Sequence, residues 1–483
     1  MPSAPGRNGC RTLVFLSLVA LWPLAPAGGQ EAPVGSPPAS PAVASTVPAF
    51  PPFLPLALTP FGPEGSVTET PIRLLPLTPP METLPPLSIR TFLTVDEEYT
   101  DNANETKENR QAEFRTSVAP GLAAHVDRPQ ASLDLVYAPR FYYPDRLSDA
   151  TVDQNLTLRS GWNVSPFIRF SAAEDLLKSS DFSYQQNPGA RPTGTAEYLT
   201  NQGTLEAAYL PPNGRIGLSY SNVLQRNDVP GADNGLFHIV RTDAQVTNPR
   251  LTLGGSYTLT RGDFDISSPY WEHSLDARAT RVLTPTVSGT LSGLFTYHDS
   301  DRDPDLMIGR ARLGGTGAFG PYGSIAAEAG AGVFAQQNDS TNVRPSILLN
   351  WTQPFTLFSL SATYQQDYQE NFQLVTNTGV TFTRSAGLAL SSTGLLFRDL
   401  TTTLTGQWVE NRNLLPVPGP NGVVAGTADR TWNLGAEIRY LIVRGLSLVL
   451  GYTATIRTST EANYPGFLEN RVHVGLSYQY AIF

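Results

Sequence analysis

The stretch Arg471–Phe483, "RVHVGLSYQYAIF", indicates the fold class. Its even positions are apolar and its odd positions are polar or small, from Val472 to Ile482. A period of two is typical of a β-strand with one apolar and one polar face. The sequence stops inside this pattern, without the polar tail that usually follows the last element of a soluble domain. We therefore expect a strand whose full length the fold needs.

The same alternation recurs upstream as far as Leu87, in segments such as "ASLDLVYA", "TWNLGAEIRY" and "GLSLVLGYTATI". A soluble sandwich would show it too, so the connections carry more information. Short turns such as "NVSP", "PPNG", "TNPR" and "VRG" alternate with long polar stretches such as "TDNANETKENRQ" and "RNDVPGADNG". Short turns at one end and long loops at the other are typical of a membrane β-barrel.

We predict an all-β fold for residues 87–483, a transmembrane antiparallel up-and-down barrel of about twenty strands (roughly 18 to 22). Every backbone polar group in lipid needs a partner, so the last strand has to pair with the first. An even strand number with a short turn after each even strand places both termini on the periplasmic side of a bacterial outer membrane. The ending "YQYAIF" resembles the signal by which the barrel assembly machinery reads outer-membrane barrels, although Phe483 is out of step with the apolar positions.

Composition agrees with this class. Charged residues make up 16% of the 483 residues, below the roughly 25% of soluble domains. Apolar residues make up 40%, too few for a bundle of membrane helices. The net charge of −9 argues against a nucleic-acid partner.

The N-terminal region has two predicted parts. Residues 1–27 have the positive start, apolar core and small-residue cleavage site of a secretory signal peptide; a membrane anchor is the alternative, but the apolar run is short for one. Residues 28–86 are rich in Pro, Ala, Ser and Thr, which predicts a disordered, semi-rigid periplasmic tether. The single cysteine, Cys10, lies before the apolar core, so the exported chain has no thiolate chemistry.

The polar face of the predicted strands would line the lumen. The candidate pore-lining residues are Arg115, Arg140, Arg159, Arg169, Arg215, Arg241, Arg278, Arg310, Arg312, Arg439, Asp134, Glu206, Asp243, Asp276, Glu328 and Glu437. Arginines outnumber acids in this set, which would favour anions. Ion pairs between neighbouring strands are an equally good interpretation, because the register between strands is unknown from sequence. A barrel this wide is not filled by its own wall, so either a channel or a plugged lumen is expected.

One segment carries a family resemblance. Tyr99-Thr100-Asp101-Asn102, followed by a polar loop and by Phe114, Thr116 and Pro120-Gly121-Leu122, resembles the opening of a family of outer-membrane β-barrel porins. Glu113 replaces the aspartate that the family has before the phenylalanine. The similarity covers most of residues 87–483 at low specificity. Members of the family often accompany exopolysaccharide biosynthesis and export, which implies a role in passing or displaying polysaccharide.

Catalytic and metal sites are not predicted. The five histidines, His125, His238, His273, His298 and His473, show no metal-ligand spacing. Four aspartates alternate in "HDSDRDPD", but this stretch lacks the glycine of an EF-hand loop. We therefore expect a non-enzyme without cofactor or metal.

The predicted function is passage of polar solutes, including anionic ones, across the outer membrane, in a role accessory to exopolysaccharide export. The alternative is a structural or adhesive surface barrel whose lumen is blocked by the long loop at Lys178–Thr195. The expected partners are outer-membrane lipid and lipopolysaccharide, the assembly machinery and exopolysaccharide export components.

Overall fold

The computed structural model describes residues 87–482 apart from short gaps at 104–106, 146–149, 180–196, 229–233, 267, 301–304, 320–322, 337–340, 371–379, 395–396, 398, 414–416, 420–421, 425–427 and 461–465. The predicted signal peptide and tether, residue 483, and most of the loop proposed as a plug lie outside the described residues.

The described residues form strands joined by turns and loops. The strands are β1 (Leu87–Thr100), β2 (Glu113–Arg128), β3 (Ala131–Tyr137), β4 (Arg140–Pro144), β5 (Thr151–Ser165), β6 (Ile168–Ser179), β7 (Tyr198–Tyr209), β8 (Gly214–Asn227), β9 (Gly235–Asn248), β10 (Leu251–Phe264), β11 (Tyr270–Thr284), β12 (Val287–Ser300), β13 (Leu306–Ala318), β14 (Ser324–Gln336), β15 (Asn342–Pro354), β16 (Phe358–Glu370), β17 (Val380–Thr393), β18 (Leu400–Asn413), β19 (Val417–Gly419), β20 (Gly422–Val424), β21 (Ala428–Val443), β22 (Leu446–Ser459) and β23 (Phe467–Ala481).

All but two of these strands belong to one antiparallel sheet that closes on itself through pairing of β1 with β23. β3 and β4 occupy one position, because both pair with β2 on one side and with β5 on the other. The barrel therefore has 20 strands, and β19 and β20 form a separate small hairpin. The predicted all-β closed barrel is confirmed.

The connections separate the two ends of the barrel. Tight turns at one end include the two-residue link Arg444–Gly445, where Gly445 has φ of 86°, a left-handed conformation that glycine adopts without steric cost. The longer connections lie at the other end, as the alternation of gaps predicts. β1 runs toward the long connection that leads to β2, so it begins at the short-turn end. Arg90, near the start of β1, pairs with Ala481, so β23 ends at the same end of the barrel.

The alternation seen in the sequence separates an outer and an inner face. On β23 the even residues, such as Leu476 (47% exposed) and Tyr478 (47%), form part of the exposed apolar surface, whereas Glu469 on the other face is 2% exposed. Exposed aromatic residues cluster toward the short-turn end: Trp162, Phe170, Tyr209, Tyr440, Tyr478 and Tyr480. An apolar band edged by aromatic side chains is the outer surface of a barrel that lies in lipid. No helix among the described residues is long and apolar enough to cross a membrane.

The seam between β1 and β23 carries polar bonds at its loop end. Thr100 Oγ1 donates to Glu469 Oε1 at 2.9 Å, and Asn102 Nδ2 donates to the carbonyl of Leu468 at 2.9 Å. Asp101 accepts two bonds of 2.7 Å from the backbone N–H and side-chain amide of Asn470. The segment Thr100-Asp101-Asn102 therefore connects the first strand to the last by side-chain hydrogen bonds.

Candidate functional site: the inner face of the barrel

The sixteen residues predicted to line a pore all occupy the strand positions opposite to the exposed apolar ones. On β13, for example, Leu313 is 69% exposed while Arg312 is 6% exposed. This alternation follows from the period of two, because successive side chains of a strand point to opposite faces. The structure thus brings these charged residues to one surface, although they come from many strands.

Most of these arginines make ion pairs. Eight of the ten, all except Arg169 and Arg241, have a carboxylate within 4.0 Å, and the pairs are Arg115 with Glu98 and Glu113, Arg140 with Asp96, Arg159 with Asp175, Arg215 with Glu206 and Asp243, Arg278 with Glu328, Arg310 and Arg312 with Asp367, and Arg439 with Glu437. Asp134 pairs with His125, and Asp276 has interactions of its own. Of the two interpretations left open by the sequence, ion pairing describes most of the inner face.

The densest group lies on β11 to β16 and is called here the interior charge array: Arg278, Arg310, Arg312, Glu328 and Asp367. Arg278 Nη2 lies 2.6 Å from Glu328 Oε1. Asp367 Oδ2 accepts from Arg310 Nη1 at 2.5 Å and from Arg312 Nη2 at 2.6 Å. Three cations and two carboxylates leave the array with one net positive charge.

Asp367 has all its acceptor positions in use. Its Oδ1 accepts from the hydroxyl of Ser346 at 3.2 Å and from the backbone N–H of Tyr368 at 2.9 Å. The side chain is only 2% exposed, and that of Arg312 is 6% exposed. Buried ion pairs are tolerated when hydrogen bonds satisfy both partners in this way.

Glycines allow these long side chains to reach past the adjacent strands. Arg310 is opposite Gly332 of β14, Arg312 is opposite Gly330, and Glu328 is opposite Gly314 of β13. A Cβ atom at Gly332 would lie 2.9 Å from the ring of Tyr368 and 3.4 Å from Asp367 Oδ1. Glycines on the inner face of β13 and β14 therefore leave space for the guanidinium groups to extend as far as strand β16.

Two predicted arginines differ from the rest. Among the described residues, Arg169 and Arg241 have no carboxylate within ion-pair distance. Arg241 lies between Ser219 of β8 and Thr258 of β10, its direct neighbours in the sheet. These two side chains are the members of the predicted set whose charge is not offset locally.

Sequence reasoning missed several acids that complete the ion pairs, notably Asp96, Asp175 and Asp367. A signal was present for Asp367, because Thr363, Gln365 and Asp367 alternate with Tyr364 and Tyr368 along β16. The pairing itself could not be read, because Arg310 and Asp367 belong to strands that are not neighbours.

The part of the chain that the structure describes contains no group of three or more His, Cys, Asp or Glu side chains placed to hold a metal ion. His125 pairs with Asp134 on the inner face. His238 and His273 contact the hydroxyl groups of Tyr220 and Tyr257. Besides its charged side chains, the inner face carries buried apolar groups, including Leu306, Ile308 and Phe334.

No family model and no curated protein matches this chain. Solved structures with a similar fold include the siderophore receptor PirA from Pseudomonas aeruginosa, at 12% identity, a TM-score of 0.48, and coverage of 81% of this chain and 80% of the receptor. OpdQ from Pseudomonas aeruginosa has 10% identity, a TM-score of 0.41 and coverage of 83% and 100%. OccK2 (OpdF) from the same organism, solved in complex with glucuronate, has 10% identity, a TM-score of 0.42 and coverage of 82% and 98%. All three TM-scores are below 0.5, so these similarities do not assign a family or a solute to this chain.

Proposed function

We propose that this protein is an outer-membrane channel for polar solutes. The observation that carries the proposal is a closed barrel of 20 strands with an apolar outer face and a charged inner face. Barrels of 16 to 18 strands enclose an aqueous channel, and still wider barrels hold a plug. The long loops then face the cell exterior, both termini are periplasmic, and strand β23 is the segment that the assembly machinery recognises.

We further propose a preference for anions that depends on few residues. Because most inner-face arginines are neutralised by adjacent carboxylates, Arg169 and Arg241 supply most of the unbalanced positive charge among the predicted pore-lining residues. The interior charge array adds one more net positive charge. Charge on a low-dielectric wall raises the local concentration of the opposite ion.

An accessory role in exopolysaccharide export is the more specific proposal. Its support is the resemblance of Tyr99–Leu122 to the opening of porins that accompany exopolysaccharide loci, together with the charged and hydroxyl-rich inner face. Acidic polysaccharides carry carboxylates that Arg169 and Arg241 would attract.

The alternative function, a surface barrel closed to solutes, is favoured by one observation. Toward the loop end several inner-face residues are almost fully buried, including Asp367 (2% exposed), Glu113 (1%) and Glu469 (2%). Residues that line an open aqueous pore would be more exposed. The burial of these residues supports a lumen that narrows toward the loop end.

Single-channel conductance of the refolded barrel in a planar bilayer, under a salt gradient, tests the proposal. Steady conductance steps with a reversal potential on the anion side are expected. Arg241→Gln should move the reversal potential toward cation preference, and Arg281→Gln, an equal charge change on the exposed outer side of β11, should not. Block by acidic oligosaccharides would support the export role.

No conductance from a barrel that shows heat-modifiable gel mobility, and is therefore folded, would refute the channel and favour the closed barrel. Equal effects of Arg241→Gln and Arg281→Gln would refute the assignment of anion preference to the inner face. Neutral oligosaccharides that block as well as acidic ones would refute the proposed charge recognition.

A further inference from the structure

A second group of arginines lies outside the predicted pore-lining set. These arginines occupy the strand positions that alternate with the pore-lining ones. Arg384 of β17, Arg412 of β18 and Arg430 of β21 surround the carboxylate of Glu410. They are here called the outer arginine cluster. Arg430 is 53% exposed and shares the face of the exposed Trp432 (49%) and Leu434 (47%), so this part of the cluster lies on the outer surface of the barrel. Arg384 lies 5.5 Å from the ring of Phe382, which is 1% exposed, so it forms the inner edge of the cluster.

Glu410 organises the cluster. Its Oε1 atom accepts from Arg412 Nη2 at 2.9 Å and from Arg430 Nη2 at 3.1 Å, and its Oε2 atom lies 3.5 Å from Arg384 Nη1. The carboxylate is 3% exposed, whereas the side chains of Arg384, Arg412 and Arg430 are 33%, 38% and 53% exposed. One carboxylate therefore contacts three guanidinium groups, which leaves the cluster with a net charge of +2, and Arg430 is its most exposed member.

The cluster lies at the edge of the apolar band. Trp408 and Trp432 are paired neighbours on the same outer face, with ring centroids 6.1 Å apart. Glu410 and Arg430 are the next pair on that face, two residues closer to the loop end. At about 3.3 Å per residue and a strand tilt of roughly 40°, the cluster lies about 5 Å beyond the tryptophans.

This placement fits one type of ligand. Tryptophan side chains mark the membrane–water interface, and the headgroup phosphates of a lipid lie just beyond it. Guanidinium groups bind phosphate oxygens through paired, charge-assisted hydrogen bonds. The loop end faces the outer leaflet if the barrel is placed as proposed above.

We propose that the outer arginine cluster binds the phosphate of an outer-leaflet lipid, while Trp408 and Trp432 contact the adjoining part of the same lipid. The inference rests on the proposed outer-membrane location and is independent of whether the lumen conducts. Charge complementarity and the position at the edge of the apolar band both favour a lipid over a soluble anion.

Binding of bisphosphorylated lipid A to the folded barrel in neutral detergent, measured by native mass spectrometry, tests the proposal. Arg412→Gln with Arg430→Gln should weaken binding by about tenfold or more, because each charge-assisted bond contributes at least that factor. The matched control is Arg250→Gln with Arg444→Gln, which removes the same charge from the short turns. The control should bind lipid A as the unchanged protein does.

Glu410→Gln gives a second, opposite expectation. Removal of the carboxylate raises the net charge of the cluster to +3, so binding of lipid A should tighten while the barrel stays folded by heat-modifiable mobility. Dephosphorylated lipid A should bind weakly to every variant. Conductance recorded on the same preparations separates failure of the channel from failure of the lipid site.

Three results would overturn the proposal: equal loss of lipid A in the cluster and turn variants, equal retention of lipid A with and without phosphate, or competition by inorganic phosphate at concentrations comparable to those of lipid A. The last result would assign the cluster to soluble anions.

Discussion

Replacement of Asp367 by asparagine tests whether the interior charge array is a dry, mutually satisfied unit. The substitution keeps the shape of the side chain and keeps an oxygen at the position that accepts from Ser346 and Tyr368. It places an amide –NH₂ where Oδ2 accepts from Arg310 and Arg312 at 2.5 and 2.6 Å. Two guanidinium groups then face a donor instead of an anion.

The magnitude follows from burial. Hydrogen bonds to charged groups contribute about 1.5 to 3 kcal/mol each, and removing one partner of a buried pair costs about 3 to 5 kcal/mol. We therefore expect Asp367→Asn to lower the free energy of unfolding by about 3 to 5 kcal/mol. Asp243→Asn is the matched control, because Arg215 beside Asp243 is 39% exposed and exposed pairs contribute about 1 kcal/mol or less.

Urea-driven unfolding of the barrel in lipid vesicles, followed by tryptophan fluorescence, measures both variants. The double variant Asp367→Asn with Arg310→Gln should recover part of the loss, because it removes one of the uncompensated cations. If Asp367→Asn and Asp243→Asn destabilise the barrel equally, the array is hydrated and the argument from burial is wrong.

Three further predictions concern the wall of the barrel. Val474→Arg, on the exposed apolar face of β23 between the two ends of the apolar band, should destabilise the barrel in vesicles by about 2 to 4 kcal/mol, and full stability in urea would refute a lipid-facing position. Gly332→Val should reduce the yield of heat-modifiable barrel, because its Cβ would meet the ring of Tyr368 at 2.9 Å. Ala331→Val, on the opposite face of β14, should leave the yield unchanged. Asp101→Ala, which removes two bonds to β23, should lower stability by about 1 to 3 kcal/mol, measured by the same urea titration.

The fold could be predicted from sequence because it depends on local signals. Two such signals are the period of two in β23 and tight turns such as Asn163–Pro166. Each depends only on residues that are a few positions apart in the sequence. The division of one barrel position into β3 and β4 was not predicted. It occurs where Ala138-Pro139 interrupts the strand, and proline has no N–H to donate to the ladder.

The contacts of the inner face could not be predicted, because they depend on register and on the reach of side chains across strands. Arg278 and Glu328 are 50 residues apart in sequence, and two strands separate β11 from β14. The outer arginine cluster was missed for a different reason. The predicted set contains only residues that alternate with the apolar positions of each strand. Arg384, Arg412 and Arg430 occupy the apolar positions themselves, near the loop end.

The seam between β1 and β23 has a consequence for how the molecule is made. Every other junction of the barrel joins strands that are close in sequence, whereas the Thr100–Glu469 bond spans 369 residues. Local hairpins form quickly, and a contact of such high sequence separation forms last. Until β23 pairs with β1, the sheet therefore has two free edges, which invite pairing with other chains. The barrel should therefore be most prone to aggregation while the junction of β1 and β23 is still open, and least prone once the Thr100–Glu469 bond has formed.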